Sequence, residues 1–193
     1  MQQLTQTQFE TNKVILQKLQ HHHLDDLLQA GKNPKIWQYV LSNYCKDKDT
    51  LEHWFNETAQ YHADKQLPLV IIDKKSNQLV GSTRLFALDF NHDKLEIGHT
   101  FITPEFQRCH INTHAKYLLL SYAFEQLGAA RVELRTHENN QKSRNAIARL
   151  GAQFEGIAWQ DRKLIDGSYR NSAVFSVTHI IWPNVKQQLE AKL

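Results

Sequence analysis

The chain has 193 residues, enough for one domain with a proper hydrophobic core, and its 41% hydrophobic and 22% charged content is ordinary for a globular protein. A formal net charge of +3 is too small to argue for a nucleic-acid surface, and no apolar run approaches the roughly 20 residues of a membrane helix, so neither partner is expected. Cys45 and Cys109 fit no metal or redox spacing, and Met1-Gln2-Gln3-Leu4-Thr5 lacks the basic-then-apolar order of a secretory leader, which leads us to expect a cytoplasmic protein without a metal.

Residues 1–12 are Gln/Thr-rich and read as a loose lead-in. Val14-Ile15-Leu16 reads as a first strand, and His21–Ala30 as a short helix that stops at Gly31. Apolar spacing predicts helices over Ile36–Tyr44 and Thr50–Ala63, with Trp37, Val40, Trp54 and Phe55 turned inward and Thr50 as a cap. Strands are expected at Leu69–Asp73, Leu79–Ala87 and Lys94–Ile102; the first two are joined by a polar turn of hairpin length, which implies antiparallel pairing.

The pattern then changes to strand–helix–strand–helix. Ala115, Leu118, Leu119, Tyr122, Ala123 and Leu127 form one stripe of a helix over Thr113–Leu127, ended by Gly128. Arg131–Thr136 alternates like a half-buried strand, and Gln141–Leu150 is a helix stopped by Gly151. The tail returns to strands at Gln153–Trp159 and Ala173–His179 around the turn Ile165-Asp166-Gly167-Ser168. No repeat or linker divides the chain, so a single mixed α/β domain spanning 1–193 is expected, antiparallel in its first half and strand–helix–strand in its second.

The most informative segment runs from Glu96 to Thr113. A strand passes through Thr103-Pro104-Glu105 into a basic loop that opens onto a helix, and the unpaired N–H groups at a helix N-terminus make an anion site. Together with Val80-Gly81-Ser82-Thr83-Arg84, Arg131-Val132-Glu133-Leu134, Asn140-x-x-Ser143, Arg149-Leu150-Gly151-Ala152 and Trp182-Pro183, this segment resembles the Gcn5-related N-acetyltransferase (GNAT) superfamily. Within it, the branch of ribosomal-protein N-terminal acetyltransferases (RimJ/RimL type) is the most similar.

That resemblance implies acetyl-CoA as co-substrate, an acyl-CoA N-acyltransferase fold, and an amine acceptor that is a peptide N-terminus or a small molecule, in a monomer or homodimer. It implies that the backbone of Phe101 and Ile102 pairs with the pantetheine arm of coenzyme A and that a bulge near His99 and Thr100 splays the strand. Gln107, Arg108, Cys109, His110, Ile111, Asn112 and Thr113 would form the phosphate loop, and Asn140 and Ser143 would lie at the thiol end. Asn140 could equally cap the helix at Gln141. Glu96 is expected to act as the base and Ser143 to assist the leaving thiolate, with Trp37, Arg84, His99 and His137 bordering the acceptor. His110 stands where the family usually carries glycine. A weakened cofactor loop, and hence a binding module on an acetyltransferase scaffold, is therefore the alternative reading.

Overall fold

The computed structural model describes residues 1–164 and 166–193; Ile165, the first residue of the turn read between the last two strands, lies outside them. Its centre is an 8-stranded sheet of β1 (Gln8–Glu10), β2 (Val14–Lys18), β3 (Gln66–Asp73), β4 (Gln78–Asp89), β5 (Lys94–Ile102), β6 (Arg131–His137), β7 (Gln153–Lys163) and β8 (Tyr169–Thr178). The strands lie in sequence order as far as β6, after which β8 precedes the edge strand β7. Every pairing is antiparallel except β5 with β6, so the two halves meet at one parallel seam.

Both faces of the sheet are covered, which explains why β3 is apolar almost throughout. Leu69 and Ile71 of β3 face a core closed by α3 (His110–Ser121), α4 (Gln141–Arg149) and α5 (Trp182–Glu190), through Ile111, Leu119, Ile147 and Leu189. Val70 and the Phe101 side chain face a second core under α1 (Leu24–Ala30) and α2 (Lys48–Glu57), with Leu27, Trp37, Tyr44 and Leu51. The expected strands and the helices near residues 24, 110 and 141 are all present.

Some expectations need correction. Residues 1–12 are not loose: Phe9 pairs with Leu16 across β1 and β2, Leu4 is fully buried, and the Met1 ammonium pairs with Asp93. Ile36–Tyr44 is not a helix but turns following a short 3-10 segment at Pro34–Ile36. Aromatic packing replaces helical hydrogen bonding there, with Tyr44 stacked 3.8 Å from Trp54 and edge-on to Trp37 at 4.7 Å, while Val40 is exposed. The α2 cap is Asp47, whose carboxylate accepts from the Thr50 N–H at 2.8 Å, and the helix ends at Glu57. The predicted helix over Thr113–Leu127 begins earlier, at His110, and ends in a π turn at Tyr122–Gln126 before Gly128 turns the chain with φ +72°.

Candidate active site

The site starts from a defect in the sheet. Ser82 pairs with Phe101 and Arg84 with Gly98, so His99 and Thr100 together oppose Thr83, and His99 takes up the extra residue with φ +49°. Gly81 permits the close approach of β4 and β5 here, since a Cβ would come within 2.1 Å of the Phe101 carbonyl oxygen. Lys116 of α3 holds the bulge from below, donating to Thr100 Oγ1 at 2.7 Å and Thr83 Oγ1 at 3.3 Å. Burial of that ammonium brings its pKa down to about 7.

The bulge bends β5 away from β6. The two strands pair only over Lys94–Glu96 and Arg131–Glu133, and beyond Glu96 a wedge opens between them. Thr103 N–H is donated to Val80 on the β4 side, so pleat alternation turns the backbone of Ile102 toward the wedge and that of Phe101 toward β4. Of the two residues expected to present their backbone to an added strand, Ile102 does so and Phe101 does not. The Ile102 carbonyl also accepts from Gln107 Nε2 at 2.6 Å.

At the wide end of the wedge lies the basic loop. A 3-10 turn at Pro104–Phe106 leads into Gln107–Cys109, and α3 starts at His110 with Cys109 as an N-cap that offers no side-chain bond. The first N–H groups of α3, at His110, Ile111 and Asn112, therefore keep the donor character and positive dipole end that anions seek. Ile111 is fully buried and anchors the helix, while Asn112 and Thr113 are half-buried in its first turn. Lys142 of α4 reaches across to Gln107 Oε1.

His110 does not occupy the strained position. It has helical backbone angles, and its ring meets the buried Asp73 carboxylate at 3.1 Å instead of turning toward the loop. The left-handed residue is Arg108, with φ +61°. The objection that histidine cannot replace glycine at 110 thus fails on geometry: the conformation that favours glycine lies two residues earlier. Cys109 is exposed, with its thiol on the Phe106 carbonyl at 2.9 Å.

Glu96 sits where the wedge begins and is 8% exposed. Burial pushes its pKa up to about 7, against the pull of Arg135 and Arg162, whose nearest nitrogens stand 3.7 and 4.0 Å from Oε2. A side chain at Gly98 would press on this carboxyl and on the Phe86 ring. Ser143 is half-buried in the first turn of α4, where its N–H is capped by Asn140 Oδ1 at 3.0 Å; its hydroxyl has no partner among the described residues. Asn140 is therefore engaged as a cap.

The acceptor-side residues divide. Trp37 is closed into the second core, its Nε1 donating to Gly31 O at 2.8 Å and its ring 5.3 Å from Phe101, so it does not border the cleft. Arg84 and His99 line one small pocket. The exposed His99 ring leans edge-on against Phe86 at 4.9 Å; partial loss of hydration, and then the charges of Arg84, Arg162 and Arg170, lower its pKa. His137 packs 5.3 Å from Tyr39 and accepts from the Asn139 N–H, away from Glu96's ion pairs. Sequence reading missed Asp161, Arg162 and Arg170, which the β7–β8 hairpin brings beside Glu96 and His99, and also Lys116. For Lys116 the available signal was a lysine directly beside the apolar stripe of α3.

Residues 13–153 match the family model described as Acetyltransferase (GNAT) domain. The chain belongs to that family. A GCN5-related N-acetyltransferase from Brucella melitensis superposes with a TM-score of 0.90 at 29% identity, covering 98% of this chain and 87% of that one. YdaF of Bacillus subtilis strain 168, named as a candidate ribosomal N-acetyltransferase, is 34% identical over 56% of this chain and 58% of its own. A spermidine N-acetyltransferase from Vibrio cholerae, solved with CoA and spermine, shares the fold with a TM-score of 0.73 at 21% identity over 90% of this chain and 100% of that one. GNAT acetyltransferases use acetyl-CoA, and the residues here fit it: a helix N-terminus without a side-chain cap follows the basic loop, and a free strand edge lines the wedge. Among the described residues no group of three or more metal-ligating side chains converges, and no helix is long and apolar enough to cross a membrane.

Proposed function

We propose that this GNAT protein acetylates the N-terminal amine of a peptide, by direct transfer with Glu96 as the base. The supporting observation is the buried Glu96 carboxyl at the closed end of the wedge, with a pKa of about 7 and only long ion-pair contacts to hold it. Such a group is a proton acceptor at neutral pH, where an amine must lose a proton to react. Acetyl-CoA, when bound, supplies an acyl thioester. Ile102 would orient the arm through its backbone, and the α3 N-terminus with Arg108 and Lys142 would hold the phosphates. In the exchange an N–C bond forms, a C–S bond breaks, the amine proton passes to Glu96 directly or through water, and Ser143 O–H donates to the departing sulfur.

The likeness to YdaF over about half the chain supports a peptide N-terminus of the ribosomal-protein type, in the RimJ/RimL sense, as the acceptor class. The test is calorimetric titration with acetyl-CoA, followed by thiol release with peptide amines and small amines. Micromolar binding with turnover of peptides is the expected result. Binding without turnover of any amine would overturn the assignment, and no binding at millimolar ligand would return the chain to the binding-module reading.

A further inference from the structure

The acceptor side of the cleft carries positive charge that the protein does not neutralise. Arg84 is 4% exposed and bonds only neutral oxygens, Gln66 Oε1 at 2.9 Å and Thr58 O at 3.4 Å, while its Nη2 has no partner among the described residues. Its guanidinium lies 5.5 Å from the Trp54 ring centroid, and burial pushes its pKa down. Arg170 is half-buried and also bonds only neutral oxygens, Tyr39 O at 3.0 Å and Ser172 Oγ at 3.4 Å, with Nε unpartnered among the described residues; it makes no ion pair, although the charges of Asp161 and Glu96 reach it.

The neighbouring arginines are matched by carboxylates. Arg131 pairs with Glu133 and Glu155, Arg135 with Glu133 and Asp161, and Arg162 with Asp161 at 3.6 Å. Arg84 and Arg170 stand out because, among the described residues, neither has a carboxylate in ion-pair contact, and Arg84 has none near it at all. A buried guanidinium without a counter-charge is costly, and that cost falls when an anion arrives to take its free N–H groups. The charges of both arginines reach the His99 ring, and His99 and Arg84 share a pocket with Tyr44, Trp54, Ser82 and Thr83. A polyamine entering here would set ammonium groups against the uncompensated Arg84 guanidinium and beside Arg170.

We propose that the acceptor amine belongs to a molecule carrying a carboxylate, which Arg84 and Arg170 bind while the amine is presented toward Glu96. This rests on the N-acetyltransferase reading and narrows its substrate. The carboxylate belongs either to an acidic side chain near a peptide N-terminus or to a free α-amino acid, and both offer the same chemistry to the two guanidiniums.

The test measures thiol release with matched short peptides beginning Ser-Glu, Ser-Gln and Ser-Lys, with free glutamate, and with spermidine. The expected kcat/KM for Ser-Glu exceeds that for Ser-Gln by roughly tenfold or more, as a charge-assisted hydrogen bond allows, and spermidine is the poorest acceptor. Arg84→Gln and Arg170→Gln each bring the Glu/Gln ratio toward one, mainly through KM, without changing affinity for CoA; Arg84→Lys restores part of it. Preference for free glutamate over the peptides identifies the amino-acid source. Equal rates with Ser-Glu and Ser-Gln, or a preference for spermidine, overturn the proposal. If no amine is acetylated although acetyl-CoA binds, the enzymatic reading itself falls. The charge argument is then decided by titrating the CoA-loaded protein with the N-acetylated Ser-Glu peptide and its Ser-Gln counterpart, where equal affinity refutes it.

Discussion

Replacing Glu96 with Gln should make the protein more stable and slower, both as functions of pH. Burial raises the carboxyl from 4.5 to about 7, so between those values the folded chain holds a proton that the unfolded chain has released. Stability contributed by the protonated group is present below pH 4.5 and is lost as pH rises through 7. Each tenfold difference in proton affinity between the folded and unfolded chain is worth about 1.4 kcal/mol, so the cost of carrying Glu96 is roughly 1 kcal/mol at pH 5 and about 3 kcal/mol at pH 8. Glutamine has no such cost, and Glu96→Gln should gain those amounts in urea unfolding at the two pH values. Turnover should move the other way. Ionisation of a base with pKa 7 falls roughly tenfold between pH 8 and pH 6, and removing the base costs on the order of 10² to 10³ in rate. The acceptor amine titrates in the same range, so the informative quantity is the wild-type to variant rate ratio, which should rise with pH to a plateau above 7. A ratio independent of pH, together with a stability difference that does not grow from pH 5 to pH 8, would refute both the raised pKa and the base role.

Four further substitutions probe the scaffold. Arg108→Gly relieves the left-handed backbone and should add about 0.5–1 kcal/mol in thermal unfolding while weakening CoA affinity, whereas His110→Gly, made at helical angles, should lose about 1 kcal/mol and gain no affinity. Lys116 is held by burial at a pKa of about 7, below its unfolded 10.5, so its charging cost is full below pH 7 and disappears as pH rises through 10.5. Lys116→Met should melt higher than wild type at pH 6, with the advantage shrinking toward pH 10, and should raise KM for acetyl-CoA because the bulge loses its tie to Thr100. Asn140→Ala removes the α4 cap and should cost about 1 kcal/mol, read as a Tm roughly 2–4 °C lower in a scanning melt.

Much of this architecture was legible because its signals are local. Lys94–Ile102 reads as a strand and forms one with the same bounds, and the pairing of β3 with β4 follows from a turn of a few polar residues. The bulge at His99 and Thr100 followed from the family resemblance, and its φ of +49° appears where expected. Expectations failed where a distant contact outweighed local spacing. Ile36–Tyr44 has helical periodicity, yet Trp37 and Tyr44 gain more from packing on Phe101 and Trp54 than a short helix would return. The lead-in residues look uncommitted until β2 offers them an edge to pair with.

The acceptor cleft was hidden for a different reason, which also explains its chemistry. Nothing in the sequence says that the final hairpin inserts β8 beside β6 and leaves β7 outside, but that order decides which charges reach Glu96. β8 brings Arg170 to the loop at Tyr39, and β7 brings Asp161 onto Arg135 and Arg162 to within 4.0 Å of Glu96. Glu133 and Asp161 together take the guanidinium of Arg135, Asp161 also stands 3.6 Å from Arg162, and this leaves Glu96 with only long contacts, so desolvation dominates and its pKa rises. Had the carboxylate of Asp161 been absent, Arg162 would be free to close on Glu96 and make it less basic, while Glu133 would still hold Arg135. The basicity of the proposed base thus depends on a residue 65 positions later in the chain that never touches it.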